Sequence, residues 1–397
     1  MSMKIAHVIQ SIDPRFGGPS AVVMRLARAQ ANLGARVCIV TVSSENERRC
    51  FNDWISRMEN SANLDLVLWP GGWIHNLRVG TQVQDLLQRH DIVHVHGVWD
   101  SLVTRCLSAR VPGGARIVLA PHGMLTRWSM QQKKAKKKLA WNLWLRSALR
   151  QVERFHVLND TESLELRALL PNARVSVLPN GTDLPPVQGP PTPSIAQSGY
   201  ILFLARLHPV KGPDRLIDAF ARCIRSRSLP DDFELVLAGP DFGMLGELRE
   251  RAARLGIAAR VKFPGAVLGT AKEVLLNGAA ALCQPSRHEG FSLTLLEALA
   301  HGVPVITTPE SNLPPILAAD CGLIVDGDDV EALSAALSRL VADRGLRERM
   351  GDAGKILVAR HYTWGKIAER ALQFYGHCDS TAPEPGDVDR LSTARPG

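Results

Sequence analysis

The stretch from Ala279 to Thr307 limits the fold of this 397-residue chain more than any other. Two short apolar runs, residues 279–283 and 303–307, have the length and composition of buried strands. Residues 293–300 between them favour a helix, and Gly302 follows where a helix-ending glycine is common. The order strand, loop, helix, strand is the repeating unit of a parallel sheet, so we predict an α/β fold.

The loop before this helix has the chemistry of an anion site. The last residues of the loop are Gly290, Phe291 and Ser292. Their backbone N–H groups lie at a helix N-terminus, which attracts phosphates. Two carboxylates, Glu289 and Glu297, bracket the same terminus. A carboxylate beside a phosphate is unfavourable unless it accepts hydrogen bonds from sugar hydroxyls, as the acidic residue of dinucleotide folds does. The stretch therefore predicts a site for a phosphorylated sugar compound.

A longer string starting at Pro285 carries a family resemblance. It is P-S-x-x-E-G-F-S-L-x-x-L-E-A-L-A-x-G-x-P-V, and it resembles the signature of the family 4 retaining glycosyltransferases (glycosyl transferases group 1). The resemblance implies the GT-B fold, with two Rossmann-like domains facing across a cleft and a C-terminal helix crossing back to the first domain. It also implies transfer of a sugar from a nucleotide-diphosphate sugar to a glycan or lipid-linked glycan, with retention of configuration. The string around His122, P-H-G-M-L, resembles a branch associated with bacterial surface and exopolysaccharide synthesis.

Composition agrees with a two-domain globular protein. The length is too great for one ordinary core, and the hydrophobic content is 45%. The apolar run after Met1 is too short for a signal peptide, and no later run approaches the ~20 residues of a membrane span. The seven cysteines are scattered and form no C-x-x-C pair. We therefore expect a cytoplasmic protein with reduced thiols.

The predicted domain boundaries follow from composition and from the resemblance. Residues 1–184 form the N-terminal Rossmann-like, acceptor-binding domain, and residues 185–198 are a proline-rich linker. Residues 199–362 form the C-terminal Rossmann-like domain that binds the nucleotide sugar. Residues 363–378 are the helix that returns to the first domain. Residues 379–397, rich in Pro, Asp, Ser and Thr, are predicted to be a disordered tail.

Two features of the first domain are candidate site residues. Gly17 and Gly18 follow the first predicted strand, where glycine allows the backbone to approach a ligand closely. Spacing alone supports a plain turn equally well, and the G-x-G-x-x-G pattern of NAD-binding folds is absent. The resemblance implies that the pair lies beside the donor's diphosphate and sugar. It also implies that His122, which alone would be a turn histidine, lies near the donor sugar; His96 is the weaker candidate.

The second domain supplies the predicted cations. Arg206 and Lys211 lie on either side of a strand-to-helix turn, where both can reach one diphosphate. Solvated loop cations are the alternative from spacing alone. The string R-L-x-x-x-K-G resembles the family's motif, which implies that both cations neutralise the nucleotide diphosphate.

The resemblance also assigns the glutamates. Glu297 accepts hydrogen bonds from the ribose, and Glu289 contacts the sugar ring. His122, Glu289, Arg206 and Lys211 are the predicted catalytic set. Gly17, Gly18, Arg206, Lys211, Glu297 and the three amide residues bind the donor.

We expect a UDP- or GDP-linked donor and no metal ion. The cations and backbone N–H groups suffice to stabilise the leaving diphosphate, and no D-x-D string is expected at a strand end. Because both glutamates have binding roles, no carboxylate is left as a nucleophile. We therefore expect front-face transfer rather than a covalent intermediate.

The net charge of +8 is concentrated in residues 127–154, which hold nine basic residues and one acidic residue. Without Pro or Gly, most of this segment is predicted to be helical. Lys134, Lys137, Trp141 and Trp144 would then form one stripe suited to an anionic membrane, so we expect peripheral binding at the inner face of the cell membrane. The alternative is a charged helix with both tryptophans turned into the core. We expect no nucleic acid partner, because no nucleic-acid-binding motif accompanies the charge.

Two other functions fit the same fold. A sugar-nucleotide 2-epimerase would bind a nucleotide but need no acceptor. A non-catalytic scaffold should have lost the phosphate cations or the glutamate pair, and this chain keeps them. The segment 311–315 departs from the Gly-Gly and Pro-Glu pattern of many family members near the donor sugar, so the sugar itself stays open.

Overall fold

The computed structural model describes residues 2–13, 18–42, 44–56, 63–69, 76–109, 112–185, 199–313, 315 and 319–376. The chain forms two compact units, one containing residues 1–181 and the helix that begins at Trp364, the other residues 182–363. Each unit is a parallel α/β sheet, which confirms the predicted fold class. Apart from Pro185, the predicted linker lies outside the described residues, as does the predicted tail 379–397.

The first unit is built on a seven-stranded parallel sheet in the order β3-β2-β1-β4-β5-β6-β7. Its central strands are buried on both faces, as parallel strands covered by helices should be. The strands are β1 Lys4–Val8, β2 Arg36–Val42, β3 Leu64–Trp69, β4 Ile92–His96, β5 Arg116–Ala120, β6 Arg154–Val157 and β7 Val175–Val177. The helices are α1 Gly18–Asn32, α2 Glu45–Ile55, α3 Asn76–Arg89, α4 Ser101–Ser108, α5 Arg127–Gln131, α6 Lys134–Ala140, α7 Arg146–Ala148, α8 Asp160–Leu169 and, from the end of the chain, α15 Trp364–Gly376.

Helix α15 belongs to the first unit, as predicted for the returning helix of this fold. It packs against α1, and its buried face includes Trp364, Ile367 and Tyr375. The ring of Trp364 lies 2.9 Å from the position that a Cβ on Gly181 would take. Only glycine fits there, so the last residue of the first stretch is packed directly against the start of the returning helix.

The second unit has a six-stranded parallel sheet in the order β10-β9-β8-β11-β12-β13, with apolar clusters on both faces. The strands are β8 Tyr200–Leu204, β9 Glu234–Ala238, β10 Val261–Gly265, β11 Ala279–Gln284, β12 Val305–Thr307 and β13 Gly322–Ile324. The helices are α9 Pro213–Arg225, α10 Leu245–Arg254, α11 Thr270–Gly278, α12 Leu293–Ala300, α13 Val330–Ala342 and α14 Arg344–His361. Helix α12 has the predicted bounds.

Each sheet has a point where the strand order reverses, and loops there part to form a ligand crevice. In the first unit β1 lies between β2 and β4, and in the second unit β8 lies between β9 and β11. The loops that follow β1 and β4 therefore meet, as do the loops that follow β8 and β11. The loops of the second unit carry Arg206, Lys211 and Glu289, whereas His122 follows β5 and Glu297 lies within α12.

The basic segment does not form the continuous helix that its sequence favours. Helix α5 ends at Gln131, and Lys133 has a left-handed backbone with φ of 52° before α6 begins. A π-helical turn over Trp141–Leu145 then joins α6 to α7. The π-helical turn changes the angular spacing of side chains, so residues ten positions apart no longer share one face.

The predicted stripe of two lysines and two tryptophans is therefore wrong in part. Lys137 Nζ donates to Ser129 O at 2.7 Å and lies 5.1 Å from the centre of the Trp99 ring. Trp141 packs against the core of the unit. The large apolar side chains exposed on this segment are instead Leu139, Leu143, Trp144 and Trp128, at 60%, 67%, 44% and 41%.

Within the described residues, no helix has both the length and the apolar character needed to cross a membrane.

Candidate functional site

The two loops at the reversal point of the second unit are fastened to each other. Gly212 has φ of +70°, and a Cβ on it would lie 2.1 Å from Pro285 O. Arg287 N donates to Val210 O at 2.7 Å. The Arg287 guanidinium also binds both carboxylate oxygens of Asp214, at 2.8 and 2.6 Å. The K-G turn and the P-S-x-x-E-G loop therefore form one rigid body at the carboxyl ends of β8 and β11.

This arrangement brings Lys211 and Glu289 into an ion pair. Glu289 is 7% exposed, and its Oε1 accepts from Lys211 Nζ, from Gln284 Nε2 at 2.5 Å and from Ser286 Oγ at 3.0 Å. Three donors on one oxygen offset much of the cost of burying a carboxylate. Glu289 is thus held in a single position at the entrance to helix α12, and two of the four predicted catalytic residues are in contact.

Helix α12 begins without a side-chain cap. Ser292 is the N-cap residue, yet its hydroxyl makes no capping bond and instead donates to Gln284 Oε1 at 2.9 Å. Further along the helix, Glu297 accepts from Lys272 Nζ of α11 at 2.6 Å, and both side chains are about one-quarter exposed, at 21% and 26%. Glu297 is therefore reachable by a hydroxyl-bearing ligand, with a cation beside it.

Arg206 is exposed, and its guanidinium lies over the Phe242 ring at 5.1 Å from the centroid. Phe242 is itself 48% exposed. His208 lies between the two predicted cations in sequence, and its pKa is lowered by burial and then by the charges of Arg206 and Lys211. Both cations thus contribute to one positive field at the turn after β8, which suits an anionic ligand.

The sequence interpretation missed two polar residues around Glu289. Gln284, at the end of β11, ties the Glu289 carboxylate to Ser292, and a polar residue closing an apolar strand was the signal. Asn312, left-handed at φ of 54°, donates from Nδ2 to Glu289 O at 2.9 Å. Asn312 belongs to the segment where the chain departs from the family pattern, so this segment contacts the backbone of Glu289.

The expectation that no D-x-D string stands at a strand end is wrong. Asp326-Gly327-Asp328 follows β13 closely. Asp328 pairs with Arg215, and Asp326 Oδ1 accepts from Asp328 N at 2.9 Å. A Cβ on Gly327 would lie 2.6 Å from the Arg215 guanidinium. These contacts make the string part of a turn that anchors α9.

The reversal point of the first unit holds a cavity of about 570 Å³. Three carboxylates contribute to its lining, together with His96, which ends β4, and Gly97, which follows it; the lining includes Ser11, Asp13, Glu47, His96, Gly97 and Asp100. Glu47 accepts from Ser11 Oγ and from Ile12 N at 2.7 Å. Burial raises the pKa of Asp100. Carboxylates in a cavity of this size suit a polyhydroxylated ligand.

Of the three candidate site residues in the first unit, the structure describes Gly18 and His122. Gly17 lies outside the described residues, and Gly18 opens α1 with no described atom within 4 Å of where its Cβ would be. His122 follows β5 with a left-handed φ of 51°, and its Nε2 lies 2.9 Å from Nδ1 of His96. Burial, then the charge of His156, lowers the pKa of His122 to about 3. His122 is therefore neutral at physiological pH.

Behind His122 lies a cluster of buried histidines that the sequence interpretation did not assemble. His7 and His94 are direct register partners on β1 and β4, and His96 is on the same face of β4 as His94. Among the described residues, these three can bring one ligand atom each within 4.8 Å of the others. The signal in the sequence was H-V-H on a predicted strand.

Comparison with known proteins agrees with the fold. Residues 191–356 match the family described as "Glycosyl transferases group 1", and residues 17–181 match the "Glycosyl transferase 4-like domain". The chain belongs to the GT4-type glycosyltransferases of the GT-B fold. The two matches together span both units of this glycosyltransferase.

Individual relatives are more distant. The D-inositol 3-phosphate glycosyltransferase of Salinispora tropica is 35% identical over 190 residues, which are 46% of this chain and 39% of the relative. The GDP-mannose:cellobiosyl-diphosphopolyprenol alpha-mannosyltransferase of Xanthomonas oryzae pv. oryzae is 25% identical over 94% of this chain and 96% of its own length. The sucrose-phosphate synthase structure from Thermosynechococcus elongatus superposes with a TM-score of 0.72 at 20% identity, covering 94% of this chain and 98% of its own.

Proposed function

We propose that this glycosyltransferase moves a sugar from a nucleotide-diphosphate sugar to a glycan or lipid-linked glycan, with retention of configuration. The observation that carries the proposal is the buried Glu289 carboxylate, fixed by Lys211, Gln284 and Ser286 at the start of α12. A buried carboxylate beside a cation and a helix N-terminus can hold a sugar hydroxyl and a phosphate next to each other.

In this proposal the second unit binds the nucleotide. The Lys211 ammonium and the Arg206 guanidinium neutralise the diphosphate, together with the N–H groups of Gly290, Phe291 and Ser292. Glu297 accepts from the ribose hydroxyls, a role supported by its partial exposure. Glu289 accepts from the transferred sugar while Gln284 and Ser286 keep the carboxylate in place.

The chemistry that this site supplies is stabilisation of the departing nucleoside diphosphate. Preorganised cations and N–H dipoles act on charge that develops as the glycosidic bond breaks. A covalent intermediate would need a free carboxylate at the anomeric carbon. Since Glu289 and Glu297 both have ion-pair partners, we favour front-face transfer, in which the leaving phosphate helps to deprotonate the acceptor. We further propose that no divalent metal is required, because Asp326 and Asp328 are engaged in the anchor of α9.

The first unit is proposed to bind the acceptor and to contact the donor's sugar. Its 570 Å³ cavity offers carboxylates to acceptor hydroxyls, and Gly17, Gly18 and His122 are proposed to lie beside the donor. A relative of nearly full length is named for GDP-mannose and a diphosphopolyprenol acceptor. We therefore propose GDP-mannose as the first donor to test, UDP-glucose as the second, and a role in surface or exopolysaccharide synthesis.

We also propose peripheral binding to the inner face of the cell membrane through residues 127–154. The exposed set is Leu139, Leu143 and Trp144, flanked by the exposed lysines Lys136 and Lys138. Apolar side chains beside lysines suit the interface of an anionic bilayer. This set replaces the stripe predicted from the sequence.

Product analysis tests the proposed function against its alternatives. The full chain is incubated with GDP-mannose or UDP-glucose, with a polyprenyl-diphosphate glycan extract, and with or without EDTA. We expect one nucleoside diphosphate released for each sugar transferred, with the same yield in EDTA. A changed sugar nucleotide without transfer would indicate an epimerase. Nucleotide binding without any product would indicate a scaffold.

A further inference from the structure

A continuous chain of hydrogen bonds crosses the core of the first unit from a backbone carbonyl to His122. Five histidines, one glutamine and one tyrosine form it, and all of these side chains except His122 are at most 2% exposed. They come from β1, β4, β6, α1, α15 and the loop after β5. The heavy-atom pairs, in order, are His156 Nε2 to Leu178 O at 2.7 Å, His94 Nε2 to His156 Nδ1 at 3.2 Å, Tyr375 Oη to His94 Nδ1 at 2.7 Å, Gln30 Nε2 to Tyr375 Oη at 3.2 Å, His7 Nε2 to Gln30 Oε1 at 2.7 Å, His96 Nε2 to His7 Nδ1 at 2.9 Å and His122 Nε2 to His96 Nδ1 at 2.9 Å.

The carbonyl at one end sets the direction of the first bonds. Leu178 O can only accept, so His156 donates from Nε2 and, as a neutral ring, accepts at Nδ1. His94 must then donate from Nε2, which leaves its Nδ1 to accept from the Tyr375 hydroxyl. A hydroxyl that donates can still accept, and Tyr375 Oη accepts from the Gln30 amide.

The remaining bonds follow from the orientation of Gln30. With Nε2 turned to Tyr375, Gln30 Oε1 accepts from His7 Nε2. His7 Nδ1 then accepts from His96, and His96 Nδ1 accepts from His122. Each of the five rings is therefore the Nε2–H tautomer. The chain ends on His122 Nδ1, which keeps its lone pair.

Burial supports the neutral state that this argument requires. It lowers the pKa of His7 and of His156 to about 4, and it lowers those of His94 and His96 well below their usual range. A proton on His7, His94, His96 or His156 would reverse every bond between that ring and His122, so the direction derived above requires these four rings to be neutral.

A metal ion on His7, His94 and His96 explains the geometry less well. Two nitrogen ligands on tetrahedral zinc, with bonds near 2.0–2.1 Å, lie about 3.3 Å apart. His7 Nδ1 and His96 Nε2 are 2.9 Å apart, which is a hydrogen-bond distance. Both nitrogens of each of these three rings also have hydrogen-bond partners within the chain.

We propose that this chain of hydrogen bonds fixes His122 as the Nε2–H tautomer, so that Nδ1 presents an acceptor to a hydroxyl of the donor's sugar. The inference rests on the proposed function, in which His122 contacts that sugar. Tyr375 and Gln30 are then positioning residues, because they transmit the direction set at Leu178. The returning helix α15, which carries Tyr375, is thereby coupled to a sugar-binding histidine.

Nuclear magnetic resonance of the full chain tests the tautomer directly. Histidine rings are labelled with ¹⁵N, and the signal of His122 is assigned by its disappearance in His122→Gln. We expect the Nε2–H pattern at His122 and a nitrogen–nitrogen coupling across the bond to His96. In Tyr375→Phe the Gln30 amide is free to turn, so His122 should gain an Nδ1–H population. An Nδ1–H tautomer in the unsubstituted protein, an unchanged pattern in Tyr375→Phe, or one bound zinc per chain by elemental analysis would each overturn the inference.

Calorimetry then tests the consequence for the sugar, using GDP-mannose and GDP as a pair and UDP-glucose and UDP as the second pair. The ratio of the two affinities isolates the sugar contact. His122→Gln keeps a donor toward His96 but removes Nδ1, and we expect it to reduce the ratio about two- to tenfold, the effect of one hydrogen bond. Tyr375→Phe should reduce the ratio by a smaller factor. Tyr200→Phe is the matched control, since it also removes a buried hydroxyl with a 2.7 Å bond, here to Leu275 O.

The outcomes distinguish a failure of the proposed function from a failure of the inference about His122. If no nucleotide binds, the proposed function fails, and the sugar-binding role of His122 fails with it. If nucleotides bind normally and the ratio is unchanged in His122→Gln and Tyr375→Phe, the inference alone is overturned.

Discussion

The first unit should lose stability steeply between pH 8 and pH 5, because its buried histidines are neutral in the folded state. His7 and His156 are 0% and 2% exposed, with pKa values lowered to about 4. The unfolded chain binds protons on these rings below pH ~6.5, whereas the folded chain does not until pH ~4. Falling pH therefore favours the unfolded state across this interval.

The magnitude follows from the two pKa values. For a ring that titrates at about 4 when folded and at ~6.5 when unfolded, the change from pH 8 to pH 5 costs about 2 kcal/mol. His7 and His156 together give about 4 kcal/mol, and the lowered pKa values of His94, His96 and His122 add to the loss in the same direction. A loss of about 4 kcal/mol is a large fraction of the 5–15 kcal/mol that typically stabilises a domain.

Tryptophan fluorescence is the assay, because all eight tryptophans belong to the first unit. Urea unfolding excited at 295 nm, a wavelength that selects tryptophan, is measured at pH 8 and pH 5. His156→Gln removes one titrating ring, and its own difference between the two pH values should be about 2 kcal/mol smaller. Equal stability of the natural chain at both pH values, or an undiminished difference in His156→Gln, would refute the assignment of neutral buried histidines.

Three further predictions address separate parts of the molecule. Gly212→Ala should lower the melting temperature of the second unit, because the new Cβ would lie 2.1 Å from Pro285 O at a positive φ. Gly246→Ala on α10 should not lower it, because no described atom lies within 4 Å of the new Cβ. Equal melting temperatures of the two variants would contradict the close packing of the two loops. Asn312→Gly removes the hydrogen bond to Glu289 O, so the ratio of kcat/KM for GDP-mannose over GDP-glucose should change about two- to tenfold. An unchanged ratio would show that Asn312 has no part in sugar selection. Leu143→Ser should weaken binding to phosphatidylserine-containing vesicles in a sedimentation assay more than Leu164→Ser, since both side chains are exposed, at 67% and 70%, but only Leu143 lies in the basic segment; equal effects would place the membrane contact elsewhere.

The features predicted correctly from the sequence are those encoded locally. The apolar run of β11, the helix-forming residues of α12 and Gly302 occupy one continuous stretch, and their order alone required a parallel sheet. Lys211 and Glu289 lie far apart in sequence but meet because each follows a strand that borders the reversal point of the sheet. For such residues, place in the strand order determines place in the site.

The features missed depend on contacts between distant parts of the chain. Lys133 adopts a left-handed backbone, and Lys137 donates to Ser129, a contact that composition alone does not reveal. The basic segment therefore has high helix propensity throughout but is broken in the structure. The hydrogen-bond chain is a stronger example, since Gln30 and Tyr375 are 345 residues apart and meet only when α15 packs on α1.

The central claim is that Lys211 and the loop around Glu289 bind the diphosphate of a nucleotide. The most direct test measures the affinity for GDP and for UDP by titration, with and without EDTA. Three proteins are compared: the unsubstituted full chain, Lys211→Ala and Lys262→Ala. Lys262 is the matched control, because it also pairs with a glutamate, Glu234, but lies on β10. We predict metal-independent binding that weakens about ten- to a hundredfold in Lys211→Ala, the effect of one charged hydrogen bond, and is unchanged in Lys262→Ala. Equal affinity in all three proteins, or no binding to any of them, would contradict the account.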